Sequence, residues 1–109
     1  MAEPRRNTRV AKTAKTKPMD EYGHLQPQAP ELEEAVLGAL MIEKDAYSLV
    51  SEILRPESFY EHRHQLIYAA ITDLAIQQKP IDILTVAEQL RSRGNLEEAG
   101  GPFYITQLS

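Results

Sequence analysis

Between Leu32 and Leu40 the apolar side chains Leu32, Ala35, Val36, Ala39 and Leu40 recur at i, i+3, i+4, i+7 and i+8. That spacing predicts one face of an α-helix. Leu37, Met41 and Ile42 widen the apolar arc beyond that face. A helix this apolar is expected to be buried on two sides. Val36 and Leu40 are expected in the core, and Leu37, Met41 and Ile42 are left as a candidate surface for a partner. Pro30 suits a first helical position, where its missing N–H costs nothing. Glu31, Glu33 and Glu34 follow where the helix dipole favours negative charge. Gly38 sits in the helix interior, where glycine is worth about 1 kcal/mol less than alanine. It predicts that another backbone comes close.

The pattern continues along the chain. Ala46, Leu49, Val50, Ile53 and Leu54 mark a second helix over Asp45–Leu54, stopped by Pro56, because the residue before proline is driven out of the helical region. Phe59 and Tyr60 follow in a loop and are expected to plug the core. Ile67, Ala70, Ile71 and Leu74, with Leu66, Ala69 and Ile76 alongside, predict a third and longest helix over His62–Gln78, ended by Lys79-Pro80. In the fourth, Thr85 and Glu88 have capping-box spacing, with Asp82 as the alternative cap one turn earlier. Val86, Ala87 and Leu90 then point inward, and Gly94 is the left-handed stop. A single turn over Leu96–Ala99 leads to a Gly100-Gly101 hinge, and Pro102 opens a last helix over Phe103–Ser109. The reading is all-α: a small orthogonal bundle of about five helices. The chain reaches Ser109 two turns into that helix with no stop signal, so a fragment of a longer protein is expected.

Charge divides the chain. Residues 1–24 carry six Lys/Arg against three acids, a net +3, and the remainder carries −7. The first part lacks apolar repeats and holds Pro18, with Pro27 just beyond. Residues 1–28 therefore read as a disordered basic tail and 29–109 as the folded domain. Arg5-Arg6 with no apolar segment behind it excludes an export signal. Residues 4–17 carry no acid, which an organellar presequence also requires, but a solvated tail is the reading taken. There is no cysteine, which excludes disulfides and thiolate metal sites and fits a reducing, cytoplasmic setting. No apolar run approaches the ~18 residues of a membrane span.

Chemistry is sparse. Gly23, Gly38, Gly94, Gly100 and Gly101 include no phosphate-binding loop, so neither ATP binding nor hydrolysis is expected. His62 and His64 diverge on a helix and cannot share a tetrahedral ion; a capping or packing role is expected instead. For Glu33-Glu34 and Glu97-Glu98 no basic partner at fixed reach is foreseen, and helix-start placement explains them. Ser48, Ser51, Ser58 and Ser92 lack the glycine-flanked turn of a hydrolase nucleophile. No catalytic, cofactor-binding or metal residue is assigned. The structural residues are Val36, Gly38, Leu40, Phe59, Ile71, Leu74, Val86 and Leu90 in the core, and Asp82, Thr85, Gly94, Gly100 and Gly101 at caps and turns.

Four blocks in order carry a resemblance: Glu31–Leu40; Phe59-Tyr60 with His64; Pro80-Ile81-Asp82 with Thr85-Val86; and Leu96 with Gly100-Gly101 and Tyr104. Over about Pro27–Ser109 the chain resembles the amino-terminal head of the bacterial DnaB-type replicative helicase. The resemblance implies a non-catalytic collar domain, in a hexamer of its own chain, that supports ring assembly and receives primase and a helicase loader at the replication fork. ATP and magnesium belong to a motor domain absent from these residues, as is the helical hairpin that carries much of the pairing. The alternative is a winged-helix-like DNA-binding regulator, with Val86–Arg93 as its recognition helix and Gln89, Arg91 and Arg93 toward DNA. The body's −7 argues against DNA binding by the head and leaves any affinity in the tail, indifferent to sequence.

Overall fold

A computed structural model describes residues 29–109. The expectation of a disordered tail over residues 1–28 lies outside the described residues. The rest folds as five α-helices and one 3₁₀ turn: α1 Pro30–Ile42, α2 Ala46–Val50, the turn Pro56–Ser58, α3 His62–Ile76, α4 Ile83–Ser92 and α5 Gly101–Gln107. No strand occurs among the described residues. Helix α3 is the central element. It packs against α1, α4 and the 3₁₀ turn, while α4 packs on α5 and α1 on α2.

The core takes the inner rows of these helices. From α3 come Ile67, Tyr68, Ala70, Ile71 and Leu74; from α4, Val86 and Leu90; from α5, Ile105; Phe59, Leu54 and Ala99 close the ends. Tyr68 lies between Phe59 and Tyr47, with ring centroids 5.2 and 6.1 Å away, and its hydroxyl donates to the Leu54 carbonyl at 2.9 Å. Burial, with the nearby Tyr47, pushes the Tyr68 hydroxyl up to about 12.

Helix α1 is rotated from the face its periodicity suggests. Leu37, Leu40 and Met41 are buried with Gly38, whereas Val36 is only half-buried and Ala35 and Ala39 are exposed. Leu37 and Met41 are therefore not a partner surface, and only Ile42 of that trio is exposed, at 62%. The cause is Glu33. Its carboxylate is fully buried, so the inward row is Glu33, Leu37, Leu40, Met41, and a pattern that sends every acid outward turns the helix by part of a step.

Three other expectations are revised. Helix α2 ends at Val50, and the Ile53 and Leu54 amides both donate to the Val50 carbonyl at 2.9 and 2.8 Å, tightening the chain into a turn. Leu49 and Ile53 are left outside, at 77% and 63% exposure. Tyr60 is exposed while its neighbour Phe59 fills the core; consecutive residues in an extended segment face opposite ways. Ile76, in the last turn of α3, is exposed as well.

The helix boundaries have local causes. Asp82, not Thr85, caps α4: the Asp82 carboxylate accepts from the Thr85 amide at 2.8 Å, and the Thr85 hydroxyl accepts from the Asp82 amide at 2.9 Å. The stops of α3 and α4 and the turn before α5 share one geometry. The amides of Lys79, Asn95 and Gly101 reach back five residues to the carbonyls of Leu74, Leu90 and Leu96, which is the Schellman closure. The left-handed residue it needs is Gly94 after α4 and Gly100 before α5, but Gln78, at φ 58°, after α3.

Buried polar network and candidate interaction surface

The polar residues converge where α1, the start of α3 and α5 meet. Glu33 comes from the first turn of α1, His64 from the first turn of α3 and Tyr104 from α5. The Glu33 carboxylate accepts from the Tyr60 amide at 2.7 Å, from the Glu61 amide at 3.3 Å, and contacts His64 Nδ1 at 2.6 Å. The Glu33 and His64 side chains are 1% and 0% exposed. His64 Nε2 lies 2.6 Å from the Tyr104 hydroxyl, which also lies 2.7 Å from Glu34 Oε2. The Arg63 guanidinium covers the Tyr104 ring at 4.1 Å from its centroid, where a cation is favoured by the ring's negative face. Burial pushes the Tyr104 hydroxyl well above its ordinary range, helped by the Glu34 hydrogen bond and opposed by Arg63.

This network corrects the reading that nothing basic stands within reach of Glu33-Glu34. His64 does, through the fold, from 31 residues away. His62 instead meets Glu98 at the surface, 2.8 Å apart. Among the described residues no group of three His, Asp or Glu could hold a metal ion. The carboxylate and the imidazole are buried and engaged by neighbours from three segments, and so fix the helices against one another.

A surface for a partner must come from the exposed apolar side chains: Ile42, Leu49, Ile53, Tyr60, Ile76, Leu84 and Phe103. Two grooves flank the α3–α4 connection and share Lys79. One, of about 480 Å³, is lined by Leu74, Leu84, Thr85, Glu88, Gln89 and Arg91. The other, of about 550 Å³, is lined by Met41, Ile42, Lys44, Pro80, Ile81 and Asp82. Both have charged or polar rims, and neither gathers groups of one chemical kind.

At Gly38 a Cβ would run into the Leu108 carbonyl oxygen just past α5, so α1 and the end of α5 touch through their backbones. Five short helices in this order, joined through a double-glycine corner, have a counterpart in known proteins. The family model of the DnaB-like helicase N terminal domain matches residues 25–109. The chain belongs to this family.

Similar members of the DnaB family include the replicative DNA helicase DnaB of Rhodothermus marinus, 51% identical over 87 residues, 80% of this chain and 9% of that protein. The replicative DNA helicase DnaC of Bacillus subtilis is 42% identical over 85 residues, 78% of this chain and 19% of that protein. The chain thus spans a tenth to a fifth of the length of these curated relatives. The crystal structure of the N-terminal domain of DnaB helicase from Mycobacterium tuberculosis superposes with a TM-score of 0.67 at 39% identity, covering 85% of this chain and 58% of that one. The winged-helix alternative is not favoured. The described residues contain no strand for a wing, and the α4 cations are engaged at home, Arg91 with Glu88 and Arg93 with Asp73. No helix among the described residues is long and apolar enough to cross a membrane.

Proposed function

We propose that this domain is a non-catalytic collar module of a replicative DNA helicase, which associates with copies of its own chain in a hexamer and receives primase, and in some settings a helicase loader, at the fork. The observation that carries this reading is the 51% identity to a replicative helicase, maintained over four-fifths of the chain. The geometry is consistent with it: the ionisable groups at the helix junction are engaged in holding the fold, and the apolar side chains left outside, Leu49, Ile76 and Phe103 above all, suit contacts with other subunits. In this reading ATP and magnesium are bound by a motor domain elsewhere in the protein, which works in the cytoplasm, and the head makes no sequence-specific contact with DNA.

The test is a pair of proteins made from the gene that encodes this chain, one whole and one lacking residues 1–109. The whole protein is expected to unwind forked DNA with ATP, and its unwinding to rise when the cognate primase is added. The protein without the head is expected to keep DNA-stimulated ATPase activity and lose the primase response. An unchanged primase response without the head would overturn the collar reading.

A further inference from the structure

The contacts joining Glu33, His64, Tyr104 and Glu34 need more hydrogens than two carboxylates, a phenol and a neutral imidazole possess. There are three contacts in series, of 2.6, 2.6 and 2.7 Å, and each needs one hydrogen between its heavy atoms. The Tyr104 phenol brings one and a neutral imidazole brings one; two carboxylates bring none. One more proton must reside in the chain.

We infer that this proton is held on His64, whose ring then donates from both nitrogens and forms a proton-dependent latch that fastens α5 to α1. The alternatives place the proton on a carboxyl. Glu33 disfavours it, because two backbone amides already donate to its oxygens, and donors aimed at a carboxylate favour its charged form. Glu34 is half-buried at the surface, and a carboxylate is as a class a far weaker base than an imidazole. The charged groups around the contacts are Glu33 and Glu34 of α1, Glu61 before α3, and Arg63 of α3, whose guanidinium covers the Tyr104 ring. Of these, the Glu33 carboxylate lies directly on Nδ1, where an opposite charge favours an imidazolium. When His64 gives it up, one of the three contacts must break, and the Tyr104 hydroxyl is left to choose between the ring and Glu34. The latch then holds α5 through one side only.

The hydrogen count also predicts a variant that relieves the demand. In Glu34→Gln the new amide can donate to the Tyr104 oxygen. Tyr104 then donates to Nε2, and all three contacts survive with a neutral ring. Long-range ¹H–¹⁵N spectra of the 109-residue chain, with His64 assigned by a His64→Gln variant, read the two ring nitrogens directly. In the parent, both are expected to show protonated shifts at neutral pH. In Glu34→Gln the Nε2 proton is expected to be lost at a lower pH than in the parent, with thermal stability retained. As the pH is raised on the parent, loss of the Nε2 proton should coincide with faster amide exchange in α5 between Tyr104 and Gln107. A parent ring with one bare nitrogen at neutral pH, or identical His64 titrations in parent and Glu34→Gln, would overturn the inference.

Discussion

Gly38 of α1 lies directly beneath the carbonyl of Leu108, so close that even a methyl group between them would overlap the oxygen. Alanine would otherwise improve the helix by about 1 kcal/mol. Overfilling a tight contact costs roughly 1–3 kcal/mol, and a backbone carbonyl cannot swing aside as a side chain can. Gly38→Ala is therefore expected to destabilise the domain, lowering its urea midpoint, with Gly38→Leu worse. An alanine variant as stable as the parent would show that the end of α5 is free to move away.

Removing the buried carboxylate should be more damaging than any surface change on the same helix. Glu33→Ala leaves the Tyr60 and Glu61 amides and His64 Nδ1 without their acceptor. Each buried donor left unsatisfied costs about 1–3 kcal/mol, and three of them together rival a total near 5 kcal/mol for a marginal domain. The variant is expected to be largely unfolded by circular dichroism at 37 °C. Glu31→Ala, two residues away and exposed, should lie within about 0.5 kcal/mol of the parent.

Gln78 occupies the left-handed position that glycine fills at the other two closures. A side chain there costs about 1 kcal/mol in the left-handed region. Gln78→Gly should raise the melting temperature of the domain, and Gly94→Ala, at φ 76° with open space around it, should lower it by a similar amount. Equal melting temperatures across the three proteins would contradict this account of the α3 stop.

Tyr68 gives the domain an alkaline limit. Its hydroxyl is raised from 10.0 to about 12, so the folded state prefers the neutral phenol more than the unfolded chain does. That contribution is complete below pH 10, where both states are protonated, and is lost as the pH climbs through 12. Denaturant titrations from pH 9 upward should show the loss. Tyr68→Phe should be weaker at neutral pH by about 1 kcal/mol, the worth of the Leu54 hydrogen bond, and should decline less steeply above pH 10.

Much of the fold is legible in the sequence because its cues are local. The rows of α3 and α4 come from spacing alone, and the stops at Gly94 and Gly100 come from a conformation other residues resist. The polar network is not legible, because its partners stand 27 to 70 residues apart and no periodicity records which acid turns inward. The same omission misplaces Val36, Leu37 and Met41: once Glu33 is known to face the core, the true inner row of α1 follows from its position. Glu33-Glu34 was visible as a pair, and His64 and Tyr104 as marks of the resemblance, yet only the fold brings the four together.

Helix α5 is held at two places, the Tyr104 hydroxyl and the Leu108 carbonyl, on residues four apart and so just over one turn from each other along its axis. A rod fixed at one point can swivel; fixed at two it keeps a heading. Whatever is attached at Ser109, whether a fluorophore, an affinity handle or more polypeptide, leaves the domain along a bearing set by α1, and a small tilt at this mount grows in proportion to the length of what it carries.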